Sequence, residues 1–411
     1  MAVGDISIDS FTVGSLDLTD PSQVSMVGFN IYEDILNFLG PVGEVHIGDF
    51  QDMLGKYNIT GSASQDVSLT FSVPQTSGTA SFKFKLLKNK NLTDRSTESQ
   101  GSMHSKFYTF RFVSPEALSA QRSVKEESFN KPTAEITKSI LQNNFKTTKD
   151  VQIDSPTNGN KRMHFSGNVH PIDRIKKVNT QHVSTKNKSS CYVTFQTRDG
   201  ANQLYKVTEF EELFKQSPVV KLKQNATLGT SGTSETDKQN SITWINISDS
   251  FEAMPRNLNN VVKKGYDATS GENQSKEMSS PKFNLLGKPL YDTTTGDKIP
   301  ATIMNDAANN KTPTGLGDAK ANRLQFLSHL SQNSADLEVI GNPAITLGSV
   351  IELDIPKKSN TDNESGESQF NGKALVVAIR HKVKPLGQSP RYTMILKVIK
   401  AAVENGGGGN G

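Results

Sequence analysis

A chain of 411 residues is longer than one ordinary core organises, so two to four domains are expected. Only 34% of it is apolar, and 46 Lys and Arg nearly balance 42 Asp and Glu for a net charge of +4, mixed along the chain, which argues against a dedicated nucleic-acid binder. The single cysteine, Cys191, excludes a disulfide-stapled fold, and the longest apolar run, Ala374 to Ile379, falls far short of the roughly 20 residues of a membrane helix.

The N-terminal Met-Ala-Val-Gly-Asp-Ile-Ser has neither a basic region nor an apolar block, so a soluble protein made in a cytoplasm is expected. The first hundred residues read mainly as strands. Val67, Leu69, Phe71 and Val73 alternate with Ser68, Thr70 and Ser72, a period of two that buries one face, and Pro74 ends the run. Phe82, Phe84 and Leu86 alternate again after Gly78, and Tyr108, Phe110 and Phe112 form a third run. A short helix is expected over 31–39. Short strands joined by polar loops predict a small barrel or sandwich.

The character changes to α+β near Ser114. Ile136, Ile140 and Leu141 recur at helical spacing within 132–145. Pro171 stands where a first helical turn should begin, with Ile172, Ile175 and Val178 following at three-residue steps. A strand over 192–197 runs to the Asp199-Gly200 turn, and a short helix follows over 209–215. Cys191, at the head of Cys-Tyr-Val-Thr-Phe, reads as a buried strand thiol rather than a nucleophile.

Residues 225–318 are poor in apolar side chains and read mostly as loop, with one strand over 241–247. That strand carries the only tryptophan, Trp244, an anchor for a core or an interface. A helix is expected over 319–331, where Leu324, Leu327 and Leu330 line one side. Strands follow over 337–340, 350–355, 374–383 and 392–399, with a polar loop at 357–371 and a flexible Gly-rich end at 406–411. Leu69-x-Phe71-x-Val73-Pro74 echoes Ile351-x-Leu353-x-Ile355-Pro356, and each precedes an alternating strand, which suggests two related β-domains, one near each end.

The motifs of catalysis are missing. There is no His-Glu-x-x-His and no Cys-x-x-Cys, and the seven histidines are scattered; His164 and His170 fit no ligand pair. Gly315-x-Gly317-x-x-Lys320 has no leading strand and no Lys-Ser/Thr pair, so it reads as a turn before a helix. No Gly-x-Ser-x-Gly elbow is present. Glu33-Asp34 and Glu211-Glu212 are carboxylate pairs that a solvated surface explains. No catalytic residue, metal ligand or cofactor is expected, and the chain does not read as an enzyme.

Several stretches resemble one family. The most specific runs Ala335-Asp-Leu-Glu-Val-Ile-Gly-Asn-Pro343, Leu347-Gly-Ser-Val-Ile-Glu-Leu-Asp-Ile-Pro356, Gly372-Lys-Ala-Leu-Val-Val-Ala-Ile-Arg-His381 and Tyr392-Thr-Met-Ile-Leu-Lys-Val-Ile399. Phe112-Val-Ser-Pro-Glu, Ser123-Val-Lys-Glu-Glu-Ser-Phe, Pro171-Ile-Asp-Arg-Ile, Tyr192-Val-Thr-Phe and Arg198-Asp-Gly follow the same order, and Ile31-Tyr-Glu-Asp-Ile-Leu and Gly43-Glu-Val-His-Ile-Gly-Asp match more loosely. This order resembles the central baseplate hub family of contractile-tailed phages, whose fold also forms the hub portion of type VI secretion spike proteins. The stretch from about 225 to 318 has no counterpart in it.

The resemblance implies a mainly β fold with α+β: two tube-like β-barrel domains and a peripheral α+β domain, assembling as a trimeric ring. The expected divisions are a first barrel at 1–113, the peripheral domain at 114–202, the start of the second barrel at 203–225, a polar insertion at 226–318, the rest of the second barrel at 319–404 and a tail at 405–411. It further implies a structural virion protein of the tail baseplate. Such a homotrimer joins the six-fold tail tube, or a tube adaptor, to the three-fold spike, contacts other baseplate proteins, and surrounds DNA that only passes through; this chain inserts in no membrane. Arg380, His381 and Trp244 are candidate interface residues, whereas Gly341 and Gly372 read as turns flanking strands. The alternatives are a wall-degrading or effector-associated baseplate enzyme and a DNA-binding protein.

Overall fold

The computed structural model of the chain describes residues 4–22, 24–49, 51, 53–59, 65–76, 78–87, 92–95, 105–122, 124–186, 190–224, 239–249, 261–267, 272–278, 299–302, 319, 323, 333–355, 370–386 and 389–400. The first stretch is β-structure: β1 (Ser7–Val13), β2 (Leu16–Asp17), β3 (Ser25–Asp34), β4 (Val42–Asp49), a single helical turn α1 (Met53–Lys56), then β5 (Asp66–Ser72), β6 (Thr79–Leu87), β7 (Leu92–Arg95) and β8 (Ser105–Val113). The middle is mixed: α2 (Pro115–Ser119), β9 (Glu127–Lys131), α3 (Thr133–Asn143), β10 (Asp150–Ile153), β11 (Lys161–Phe165), α4 (Pro171–Asn179), β12 (Tyr192–Asp199), β13 (Asn202–Glu209) and α5 (Phe210–Phe214). The remainder returns to strands: β14 (Lys221–Lys223), β15 (Ile242–Asp249), β16 (Val261–Asp267), β17 (Glu272–Met278), β18 (Ile299–Thr302), β19 (Asn333–Ile340), β20 (Val350–Asp354), β21 (Gly372–Leu386) and β22 (Ser389–Ile399).

The alternation read in the sequence is what the core uses. Val67, Leu69, Phe71 and Val73 are buried, and Ser68, Thr70 and Ser72 face outward, where Thr70 and Ser81 share a hydrogen bond of 3.1 Å across the β5–β6 ladder. The expected helix over 31–39 is corrected: β3 continues to Asp34 and a turn follows. Ile31, Ile35 and Leu39 have helical spacing, but Phe29, Ile31 and Glu33 are buried in the period of a strand that is laddered on both edges, and tertiary pairing overrides local pattern. Asp34 then stops the strand by accepting the Leu36 N–H at 2.8 Å. The helices over 132–145, 171–179 and 209–215 form as expected, with Pro171 in the first turn of α4. Of the helix expected over 319–331, only Ala319 and Arg323 are described, both helical; the rest lies outside the described residues, as do residues 357–369 and the Gly-rich end.

One large sheet holds most of the strands, in the order β15-β19-β22-β21-β3-β4-β8-β6-β5-β1-β2, with β20 beside β21, β14 beside β20 and β7 beside β8. Its two halves repeat. β5-β6-β8-β4-β3 and β20-β21-β22-β19-β15 share strand order, and every neighbouring pair in both is antiparallel. The ladders agree residue for residue: Ile31 faces Gly43, which faces Phe112, while Ile247 faces Ala335, which faces Val398. Even the bulges coincide, between Met26 and Gly28 in β3 and between Ile242 and Trp244 in β15. The echo read in the sequence names the right strands but slides them by two residues, since the ladders put Leu353 rather than Ile351 at the place of Leu69. The adjoining strands differ, because β1 runs antiparallel to β5 and β14 parallel to β20.

The middle region packs α3 and α4 on a small sheet, β10-β13-β12, with β11-β9 alongside. β12 and β13 pair across the turn at Gly200, so residues 203–209, within the stretch expected to start the second barrel, lie in the same sheet as 192–199. Within 226–318, where loop was expected beyond the β15 strand, β17-β16-β18 form a further sheet. The second strand of that sheet, Glu-Asn-Gln-Ser-Lys-Glu-Met, has almost no apolar period to announce it.

Arg174 pins this region. Its guanidinium is fully buried, ion-pairs with Glu127 at 2.7 Å, donates to the carbonyls of Lys125 and Ser166 at 2.9 Å each and of Val169 at 3.1 Å, and sits 5.5 Å from the Phe165 ring. Arg174→Ala leaves those acceptors unmatched and is expected to cost on the order of 3–5 kcal/mol by urea denaturation. Arg174→Lys should rescue only part of the loss, because an ammonium cannot reproduce the planar fork.

Candidate functional site

The two halves meet where β21 pairs with β3, from Ala378 opposite Asp34 to Val383 opposite Phe29. Glu33 lies in the buried phase of β3 and is 4% exposed. One of its oxygens stands 2.7 Å from His381 Nε2, and His381 Nδ1 stands 2.6 Å from the Tyr392 hydroxyl. A third part of the chain enters from β12: an Arg198 terminal nitrogen lies 3.6 Å from the same Glu33 oxygen, and its guanidinium is 5.0 Å from the Phe82 ring. One buried carboxylate thus joins the first half of the sheet, the second half and the middle region.

Phe71 and Phe82 close the site, 6.2 and 5.6 Å from the His381 ring, and Phe71 meets Tyr392 edge-on at 5.2 Å. Gly341 completes the shell, since a Cβ there would enter the Tyr392 ring.

The electrostatics follow from burial. Burial alone would raise the Glu33 carboxyl, but the Arg198 charge and the His381 hydrogen bond outweigh it and hold Glu33 below the usual carboxylate range. His381 is pushed below its ordinary value by burial, against the pull of Glu33, and Tyr392 is pushed up by burial. The consistent state is a carboxylate and a neutral imidazole, with Nε2–H donating to Glu33 and Nδ1 accepting the Tyr392 O–H. This arrangement holds a fixed charge and sealed hydrogen bonds; it presents no reacting atom to solvent.

Of the residues singled out from the sequence, His381 and Arg380 both lie on this ladder. His381 is sealed within the chain. Arg380 lies on the other face, donating to Asn30 through two nitrogens at 3.3 Å each and covering the Tyr32 ring at 5.1 Å. Trp244 stands apart on β15, 50% exposed. Glu33, Arg198 and Tyr392 were not read as site residues. The signal for Glu33 was its phase, a carboxylate in step with Phe29 and Ile31; Arg198 lies in β12, whose residues 192–198 are all buried.

Among the described residues no three His, Cys, Asp or Glu side chains come together as a metal site requires, and no helix is long and apolar enough to cross a membrane. Glu212 pairs with Lys215 at 2.6 Å, and the neighbouring Glu211 is raised to about 7 by burial and then by Glu209. The Cys191 thiol is buried and pushed well above its ordinary range by burial. A groove of about 610 Å³ between β6 and the middle region is lined by Lys83, Glu116, Lys149 and Asp199 among others, and within it Lys149 pairs with Glu116 at 2.6 Å.

Two predictions follow from this chemistry. Glu33→Gln leaves Arg198 buried without its counter-charge and should cost on the order of 3–5 kcal/mol by chemical denaturation; a loss below about 1 kcal/mol would show the network to be incidental. The second concerns pH. His182, buried against Thr133 at 2.8 Å, is lowered by burial from 6.5 to about 3, and His381 is lowered too. Between folded and unfolded values the unfolded chain binds more protons, so the contribution of these two histidines to stability is full above 6.5, falls as pH drops below it, and for His182 keeps falling to about 3. Denaturation midpoints at about pH 7 and about pH 5 should differ less in His182→Gln than in the parent.

No family model matches the chain, and no curated protein matches it in sequence. Solved structures do match its fold. The tail protein from Neisseria meningitidis MC58 superposes with a TM-score of 0.55 at 10% identity, over 96% of this chain and 97% of that one. The 43 kDa tail protein of prophage MuSo2 from Shewanella oneidensis gives 0.54 at 10% identity, over 96% and 98%. The PdpA–VgrG complex of Francisella gives 0.51 at 11% identity, over 99% of this chain and 60% of that one. Over nearly its whole length the chain therefore has the fold of these tail proteins.

Proposed function

We propose that this chain is a structural, non-enzymatic tail protein, the central hub of a contractile-tail baseplate. Three copies form a ring whose inner wall is built from two barrel-like β-halves per copy. That ring joins a six-fold tail tube, or its adaptor, to a three-fold spike, and DNA passes through its centre. The observation that carries this reading is the repeat: five strands used twice, in one order and one register. Three copies of a twice-repeated chain present six similar units, which is how a three-fold body meets a six-fold one. The whole-length likeness to two tail proteins, one of them from a prophage, supports the same assignment.

On this reading the mechanism is geometric. The Glu33 network fixes the angle between the halves, and β12 ties the middle region to that junction through Arg198 and through Thr197, which donates to the Leu347 carbonyl at 2.7 Å. Native mass spectrometry and single-particle imaging of the purified chain, with its spike partner co-expressed, should give a trimer with three-fold symmetry, a pseudo-six-fold inner wall and an open centre. A compact monomer in the presence of the spike would contradict the hub reading, and hydrolysis of cell wall by the purified chain would point to the enzyme instead.

A further inference from the structure

β3 and β15 are one strand used twice, and their sequences show it. From Ser25 and Ser241 onward, Asn30 stands at the place of Asn246, Ile31 at that of Ile247 and Glu33 at that of Asp249, in the alignment that the shared bulge fixes. Their outer edges differ. β21 covers β3 through residues 378–383, the stretch just beyond the part of β21 that pairs with β20. The outer edge of β15, after one bridge from Ser241 to Lys223, carries no ladder among the described residues. Burial follows the difference. Phe29 and Ile31 are 1% and 0% exposed, whereas their equivalents are a half-buried Ile245 and an Ile247 that is 45% exposed, beside the half-exposed Trp244.

The receiving edge also has an equivalent. His381 faces Met394 and Lys382 faces Thr393; at the same places in the first half, Leu92 of β7 faces Tyr108 and Thr93 faces Phe107. Among the described residues β7 pairs with β8 alone. Each half thus carries one edge that docks and one that receives. The junction inside the chain uses the docking edge of the first half and the receiving edge of the second. The docking edge of the second half and the receiving edge of the first remain.

We propose that β15 pairs antiparallel with β7 of a second copy of this chain. Ile247 then lies opposite Leu92 and Asn246 opposite Thr93, repeating the register in which Ile31 faces His381 and Asn30 faces Lys382. The contact is heterologous, so each copy offers one edge forward and one back, and in the ring of the hub reading each docking edge meets the receiving edge of the next copy. It also pairs the outer edges of β15 and β7, which carry no other ladder among the described residues, and covers Ile247. The copy number rests on the hub reading; the seam rests on the ladders.

Disulfide trapping tests it directly, because the native Cys191 is buried. Residues opposite one another in an antiparallel ladder lie about 4.5–5.5 Å apart, within reach of a disulfide. Full-length chain carrying Asn246→Cys and Thr93→Cys should convert under mild oxidation to covalent, reducible multimers. Neither single variant should do so, nor should the off-seam pair Asn246→Cys with Lys131→Cys, whose second cysteine lies on β9. The adjacent rung, Ile247→Cys with Leu92→Cys, reads the same register if the first pair fails to fold. Native multimers that cross-link at neither rung would overturn the seam while leaving the hub reading in place. A chain that stays monomeric and uncross-linked at every concentration would overturn it too. Cross-linked rings of a copy number other than three would uphold the seam and sink the trimer.

Discussion

A single buried carboxylate organises this molecule. Charge inside a protein is tolerated when it is paired and hydrogen-bonded, and Glu33 is held by His381 from one side and Arg198 from another. Those partners belong to different parts of the chain, so satisfying one charge also fixes how the parts meet. The β3–β21 ladder supplies the direction of approach, and the aromatic rings of Phe71, Phe82 and Tyr392 keep water out. Without that carboxylate the seam would be an ordinary strand pairing, and Arg198 would be a buried cation with no counter-charge.

The duplication explains why the seam lies where it does. Each half carries one docking edge and one receiving edge, the receiving one on the far part of β21 in the second half and on β7, outside the five shared strands, in the first. Joining the halves head to tail within the chain uses one of each. The sequences have diverged around this shared plan: Gly28 of β3 corresponds to the half-exposed Trp244 of β15, and Glu44 to Asp336 on the neighbouring strands. The middle region sits at the same junction and reaches it through β12, which is buried on both faces because Tyr192 packs in the middle region's core and Val193 and Phe195 in that of the large sheet.

Much of this was legible in the residues, and the failures have physical causes. Strands with one buried face announce themselves by alternation, so β5, β6, β8, β20, β21 and β22 could be read directly, and capping chemistry at Pro171 placed α4. The segment 31–39 misled because Ile31, Ile35 and Leu39 imitate a helix, while the ladders that make β3 a strand come from residues far along the chain. β16–β18 escaped notice because their pairing runs through backbone groups, with little apolar period in the side chains. The site was half visible: Arg380 and His381 stood out as a motif, but Glu33 looked like surface charge, and the partnership of His381 with a residue 348 positions away is not a sequence pattern. The repeat itself is written mainly in ladders and bulges, and side-chain similarity recovered only its outline.

Residue-resolved hydrogen exchange, on the dilute chain and on the assembled particle, tests the central claim that one strand edge is closed within the chain and its equivalent by another copy. Slow exchange is expected for β3 and for residues 378–383 in both samples, and outward-facing amides of β15 should exchange fast when dilute and slow on assembly. Equal protection of β3 and β15 in the dilute chain, or no change at β15 on assembly, would contradict that claim.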